Sequence, residues 1–149
     1  MEHLFFILFL FLVSFVFAKV EIAIEGAKGW AENLPTWRLP REHIISQIFF
    51  GGRPATGYHM WINFFVILIL HFIYLFIPFQ LKVELQIFPF LFLFWVFEDF
   101  LWFVLNPAYG LKNFKKEKIW WHEKRWFLFA PIEYFIFILL GIALYLLSL

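Results

Sequence analysis

The chain has 149 residues, 64% of them hydrophobic and 15% charged, with a formal net charge of +1. A soluble domain carries about 45–50% apolar and about 25% charged residues, and one this small has too little interior to hide the excess, so an ordinary soluble globule is excluded. The near-neutral balance points away from nucleic acid as a partner, and the lack of cysteine excludes disulfides, zinc–thiolate sites, iron–sulfur clusters and thiol nucleophiles.

The length suits one domain, and four apolar stretches predict an all-α integral membrane bundle of four spans. The first is expected over residues 3–24, although its purely apolar part is short for a span, which needs about 17–25 residues. Val16-Phe17-Ala18 resembles a signal-peptide cut, but Glu2 and His3 stand where such a leader carries Lys or Arg, so retention of the segment is expected. The connection over residues 25–59 is broken by Gly26, Gly29, Pro35 and Pro40. Its stretch from Arg41 to Phe50 can form a short amphipathic helix burying Ile44, Ile45, Ile48 and Phe49. Gly51-Gly52-Arg53 has the look of a phosphate cradle, but it lacks the Gly-Lys-Ser/Thr ending of a P-loop and reads as a turn. Thr56 is then placed to cap the second span, over residues 60–78.

A tight connection makes the second and third spans a hairpin. The third is expected over residues 85–105, with Pro89 in its first turns, where a missing N–H is tolerated. The connection over residues 106–130 contains Trp120-Trp121-His122 and Trp126 among cations. It reads as a second short interfacial helix, with residues 112–126 lying against anionic lipid headgroups. Pro131 opens the fourth span, over residues 131–148.

Eleven of the 12 Lys and Arg residues fall in the first and third connections or, for Lys19, in the span turns leading into the first, against Lys82 alone in the second. Cytoplasmic loops carry this excess, so loops 25–59 and 106–130 are expected inside and both termini outside, in a multi-pass protein of the cell membrane.

Ionisable residues inside spans are costly and tend to mark function. Glu21 and Glu25 share one face of the first span with Ser14 and Ala18. His59 and Asn63 lie one turn apart on the second, and Glu98, Asp99 and Asn106 share a broad face of the third. Glu133 sits near the start of the fourth, shortly after His122. On the four-span topology all lie in the cytoplasmic third, with Glu98 about 10 Å from the inner end of its helix. His59, His122, Glu25, Glu98, Asp99 and Glu133 make a nitrogen-and-oxygen ligand set suited to a divalent metal such as zinc, iron or manganese. Neighbouring Glu98 and Asp99 cannot both ionise cheaply without a cation, so with His122 and Glu133 they are also candidates for acid–base catalysis. The competing readings are structural: Glu133 favours the helix dipole, Glu21, Glu25 and His59 sit in interfacial water, and Glu98 and Asp99 pair with Arg53 or Lys112. His71, deeper and on another face, is expected to hydrogen-bond between helices.

Four stretches stand out as signatures: Gly29-Trp30 leading to Leu34-Pro35-Thr36-Trp37-Arg38; Gly51 to His59; Glu98 to Pro107 with Gly110; and Trp120-Trp121-His122. Together they resemble small polytopic membrane proteins of bacteria or archaea that carry no assigned function, and the resemblance implies no mechanism. Three roles compete. One is an enzyme acting on a lipid-like substrate through the carboxylate–histidine set. Another is a small transporter that must form a homo-oligomer. The last is an accessory subunit packing on another membrane protein through Ser14, Ala18 and Gly141.

Overall fold

A computed structural model describes residues 2–149 and is mostly helical. Helix α1 spans Glu2–Glu25, α2 Ile44–Phe49, α3 Gly57–Leu70, α4 Leu81–Leu105 and α5 Ile132–Leu147. Two two-residue antiparallel ladders brace the loops: β1 (Arg38–Leu39) on β2 (Ala55–Thr56), and β3 (Trp126–Phe127) on β4 (Ala130–Pro131). Three helices are long and apolar enough to cross a membrane: α1, α3 with its continuation to Leu75, and α4. The fourth apolar helix, α5, is shorter at 16 residues.

The central element is α4, with both α1 and α5 packed along it. Phe6 meets Phe90, Phe17 meets Phe94 and Trp95, and Asn106 donates from Nδ2 to Gly26 O at 2.8 Å, so α1 runs parallel to α4. Tyr134 meets Asp99 and Gly141 lies against Leu93, so α5 runs antiparallel. Small residues permit these approaches. Ser14 and Ala18 are fully buried in α1, and a Cβ on Gly141 would stand 2.8 Å from Leu93. Helix α3 is different: only 6% of its span is buried, against 50% for α4. It is tied to the rest near its two ends, by Thr56 at the start and by His71 Nε2, 3.3 Å from Glu84 Oε2, beyond Leu70.

Several boundaries differ from those expected. The second span starts at Gly57, capped by the Thr56 side chain, and tightens into a 3-10 turn over His71–Leu75. The third starts at Leu81 rather than 85: Gln80 holds the N-cap position in an extended conformation, and Glu84 favours the dipole of the first turn. Pro89 is consequently interior to α4, where a lipid-embedded helix tolerates it. Only the first loop holds a short α-helix. The second folds as two 3-10 turns, Leu111–Asn113 and Glu123–Arg125, because Pro107 and Gly110 (φ 78°) break the chain and the crowded lysines repel along a helix. Trp121, expected at the headgroups, is 4% exposed and packs with Trp30, Trp102, Phe103 and Ile119 under the loops.

Candidate functional site

The four signature stretches meet at the loop end of the bundle. After α1 the chain turns through Trp30 (φ 57°) and Ala31 (φ 52°), a left-handed conformation that is strained for both residues. Three contacts hold it. Ala31 N donates to Glu25 Oε1 at 2.5 Å, the Arg38 guanidinium donates to Ala31 O, and Trp30 Nε1 donates to Pro54 O at 2.8 Å. Gly29 has no room for a side chain, since a Cβ there would lie 2.6 Å from the Trp121 ring. Gly57 is equally confined: its Cβ would lie 2.5 Å from Trp37 Nε1. Thr36 Oγ1 accepts from Tyr58 N at 2.9 Å and fixes the start of α3.

These constraints surround a cavity of about 260 Å³ lined by Glu21, Glu25, Arg53, His59, Glu98, Asp99, His122, Glu133 and Tyr134, among others. Every residue proposed from sequence as a ligand or catalytic group lines it. Apart from Glu98, they fall into three sets. In the first, ligand atoms of Glu21, Glu25 and His59 all lie within 4.8 Å of one another, and His59 Nε2 is 3.8 Å from Glu25 Oε1. The His59 ring is held from two sides: Trp30 stacks on it at 4.0 Å between centroids, and Thr56 Oγ1 is 2.7 Å from Nδ1. When Nδ1 donates to that hydroxyl, Nε2 presents a bare lone pair to the two carboxylates, the arrangement by which second-shell groups orient a ligating histidine.

The second set is Asp99, His122 and Tyr134. Tyr134 donates its hydroxyl proton to Asp99 Oδ2, and the same oxygen lies 3.6 Å from His122 Nε2. His122 is 2% exposed, and neither ring nitrogen has a hydrogen-bond partner among the described residues. Burial holds the pKa of His122 below the ordinary histidine value, with Asp99 pulling the other way. The imidazole is therefore neutral at neutral pH and able to take a proton. The third set removes Glu133 from both: Arg125 Nε lies 2.6 Å from its Oε1, and Arg125 Nη1 donates to Gly51 O at 2.9 Å. Glu133 is thus engaged by a cation, in addition to its favourable place in the first turn of α5.

Glu98 lines the cavity at 6% exposure and has neither a hydrogen bond nor an ion pair among the described side chains. The pairing of Glu98 or Asp99 with Lys112 that sequence allowed does not form, since Lys112 is exposed in the loop. Three ionisable lining residues lie outside the set predicted from sequence: Glu21, Tyr134 and Arg53. Glu21 was visible on the face of Glu25 but read as interfacial; it is 6% exposed. Tyr134 carries no signal in the sequence pattern and is placed only by its contact with Asp99. Arg53 reads as a turn residue.

Away from its polar end the cavity is lined by Ile67, Leu91, Phe92 and Phe137. Ile67 lies eight residues beyond His59, about 12 Å farther along its helix, and Leu91 about 10 Å from Glu98 in the same direction. The space is therefore polar at the loop end and apolar toward the middle of the bundle. Comparison with known protein families, with curated proteins and with solved structures finds no match for the chain.

Proposed function

We propose that the chain is a four-span protein of the cell membrane with both termini outside, and that it is an enzyme acting on a lipid-like substrate at the cytoplasmic headgroup level. In this reading Glu21, Glu25 and His59 hold a divalent metal, and Asp99 and His122 work as the acid–base pair, positioned by Tyr134. The observation that carries the reading is convergence: ionisable groups from α1, α3, α4, α5 and both long loops line one cavity that continues into an apolar slot. Buried carboxylates this close need a cation or shared protons to be stable in a low dielectric, and the oxygen-and-nitrogen donors suit zinc, iron or manganese. Bound there, the metal would polarise a substrate oxygen or activate water, while neutral His122 takes or returns a proton.

The placement of a fourth span rests on α5 running beside α4 through the same depth. The orientation rests on the basic loops. Elemental mass spectrometry of the detergent-purified protein tests the metal. About one ion per chain, lost in Glu21→Gln and His59→Ala, is expected. Folded protein free of metal after growth with all three ions supplied would refute it. A second reading, an accessory subunit, is favoured by the exposed flank of α3, where Trp61, Phe64, Phe65 and Leu68 point outward. A stoichiometric membrane partner retained in mild detergent would support it.

A further inference from the structure

Arg53 lines the cavity, and the reading above leaves its placement unused. The left-handed glycines Gly51 (φ 57°) and Gly52 (φ 78°) bend the chain so that its side chain enters the cavity. One edge and one face of the guanidinium are already taken: Nε donates to Phe50 O at 3.0 Å, and the group lies 4.5 Å over the Trp30 ring. Its terminal amino groups have no acceptor among the described residues, and Arg53 makes no ion pair with any of them. Burial lowers its pKa from the ordinary arginine value, with Glu133 and Asp99 opposing. Those two carboxylates are engaged elsewhere, by Arg125 and by Tyr134. A guanidinium held in place but left with a free fork is built to receive a planar or tetrahedral oxyanion in bidentate fashion.

Two further features narrow the ligand. The apolar slot of Ile67, Leu91, Phe92 and Phe137 begins where the polar lining ends. Helix α3, which forms one wall, packs on the core through Val66 and Leu70, but only 6% of its span is buried, so most of its surface faces outward. A carboxylate would spend both oxygens on the guanidinium. A phosphate has further oxygens to reach a cation held by Glu21, Glu25 and His59.

We propose that Arg53 seats the phosphate headgroup of an amphiphile whose hydrocarbon chain lies in the slot between α3 and the α4–α5 pair. This deepens the function proposed above and rests on its lipid-like substrate, with the headgroup now assigned.

Native mass spectrometry of the full chain in detergent tests it, with dioleoyl phosphatidic acid as probe, dioleoylglycerol as the tail alone and inorganic phosphate as the head alone. One phosphatidic acid per chain is expected, held at least about tenfold more weakly by Arg53→Gln, with an intermediate loss in Arg53→Lys, which keeps charge but not the fork. Phe137→Trp, which fills the slot and leaves Arg53 untouched, should release phosphatidic acid while sparing inorganic phosphate, and it serves if Arg53→Gln does not fold. Equal retention by wild type and Arg53→Gln overturns the proposal, as does equal retention of dioleoylglycerol. Arg53-dependent binding of inorganic phosphate without phosphatidic acid overturns the lipid source. Arg53-dependent lipid binding by protein that never takes up metal keeps this seat and removes the metal from the function proposed above.

Discussion

Replacing Glu25 separates its two tasks. Its carboxylate accepts the Ala31 N–H at 2.5 Å and lies 3.8 Å from His59 Nε2. Glu25→Gln keeps an acceptor for Ala31 but loses the charge; Glu25→Ala loses both. Loss of even an outer partner of a metal ligand costs about 10–100-fold in affinity, so loss of a charged ligand should cost about 100-fold or more, about 2.7 kcal/mol. A buried N–H left without its acceptor adds about 1–3 kcal/mol, here in a loop that already holds Trp30 and Ala31 in strained conformations. The assay is thermal unfolding in detergent across a chelator-buffered metal series. Wild type should gain about 2.7 kcal/mol when free metal is about 100 times its Kd. Glu25→Gln should lose that gain while keeping the wild-type midpoint without metal, and Glu25→Ala should fall below it in both conditions. A Glu25→Gln protein that responds to metal as wild type does would refute the assignment of Glu25 as a ligand. An unchanged Glu25→Ala midpoint without metal would refute its role in holding the loop.

Other outcomes follow from the same geometry. Because burial lowers the pKa of His122, the folded protein binds fewer protons there than the unfolded chain. Its stability should therefore decline as pH falls below about 6.5, continuing down to the lowered folded value, and His122→Gln should flatten that part of a midpoint-against-pH curve. Gly29→Ala drives a methyl into the Trp121 ring and should cost about 1–3 kcal/mol, read as a drop in unfolding midpoint; an unchanged midpoint would mean that the ring moves freely. Arg125→Gln strips Glu133 of its cation. Arg125 is 41% exposed, so the cost should be about 1–2 kcal/mol, below the roughly 3–5 kcal/mol of a fully buried pair. The chain has no cysteine, so single-cysteine labelling is clean: Lys116→Cys should react only from the cytoplasmic side and Gln80→Cys only from outside, and the reverse pattern would invert the topology.

Much of this architecture is legible in the sequence because lipid imposes a simple rule on composition. Uninterrupted apolar runs give the spans, and Thr56, at the end of a Gly- and Pro-rich turn, gives a helix start. Depth is legible too: Glu25, His59, Glu98, Asp99 and Glu133 all fall within about 10 Å of the loop-side ends of their helices, and the structure brings them into one cavity. What sequence does not encode is rotation and loop placement. Whether Asp99 faces Lys112 or His122 depends on how Trp121 and His122 fold back beneath α4, and Trp121 does so by packing on Trp102 and Phe103. The first turn of α4 was hidden because Lys82 and Glu84 look like loop residues until Glu84 is seen against His71. Tyr134 and Arg53 were hidden for a related reason: an aromatic near a span end and an arginine in a glycine turn each have a commonplace explanation, and only their neighbours distinguish them.

The helices also differ in length. Helix α1, with 24 residues, extends about 36 Å, whereas α5, with 16, extends about 24 Å. With α5 as the fourth span proposed above, a bilayer whose hydrocarbon is about 30 Å thick would have to thin beside it, or the helix would draw apolar neighbours into the membrane. The neighbours at its start suit this: Phe127, Leu128 and Phe129, at the tip of the β3–β4 hairpin, are 49%, 72% and 73% exposed. On that topology, local thinning on the α5 side would bring headgroups closer to the depth of Asp99 and Tyr134 than they lie beside α1. The energy of lipid deformation, stored in the bilayer rather than in the protein, would then shorten the distance a headgroup travels through hydrocarbon to reach the cavity. Occupancy should accordingly depend on acyl-chain length in the host membrane.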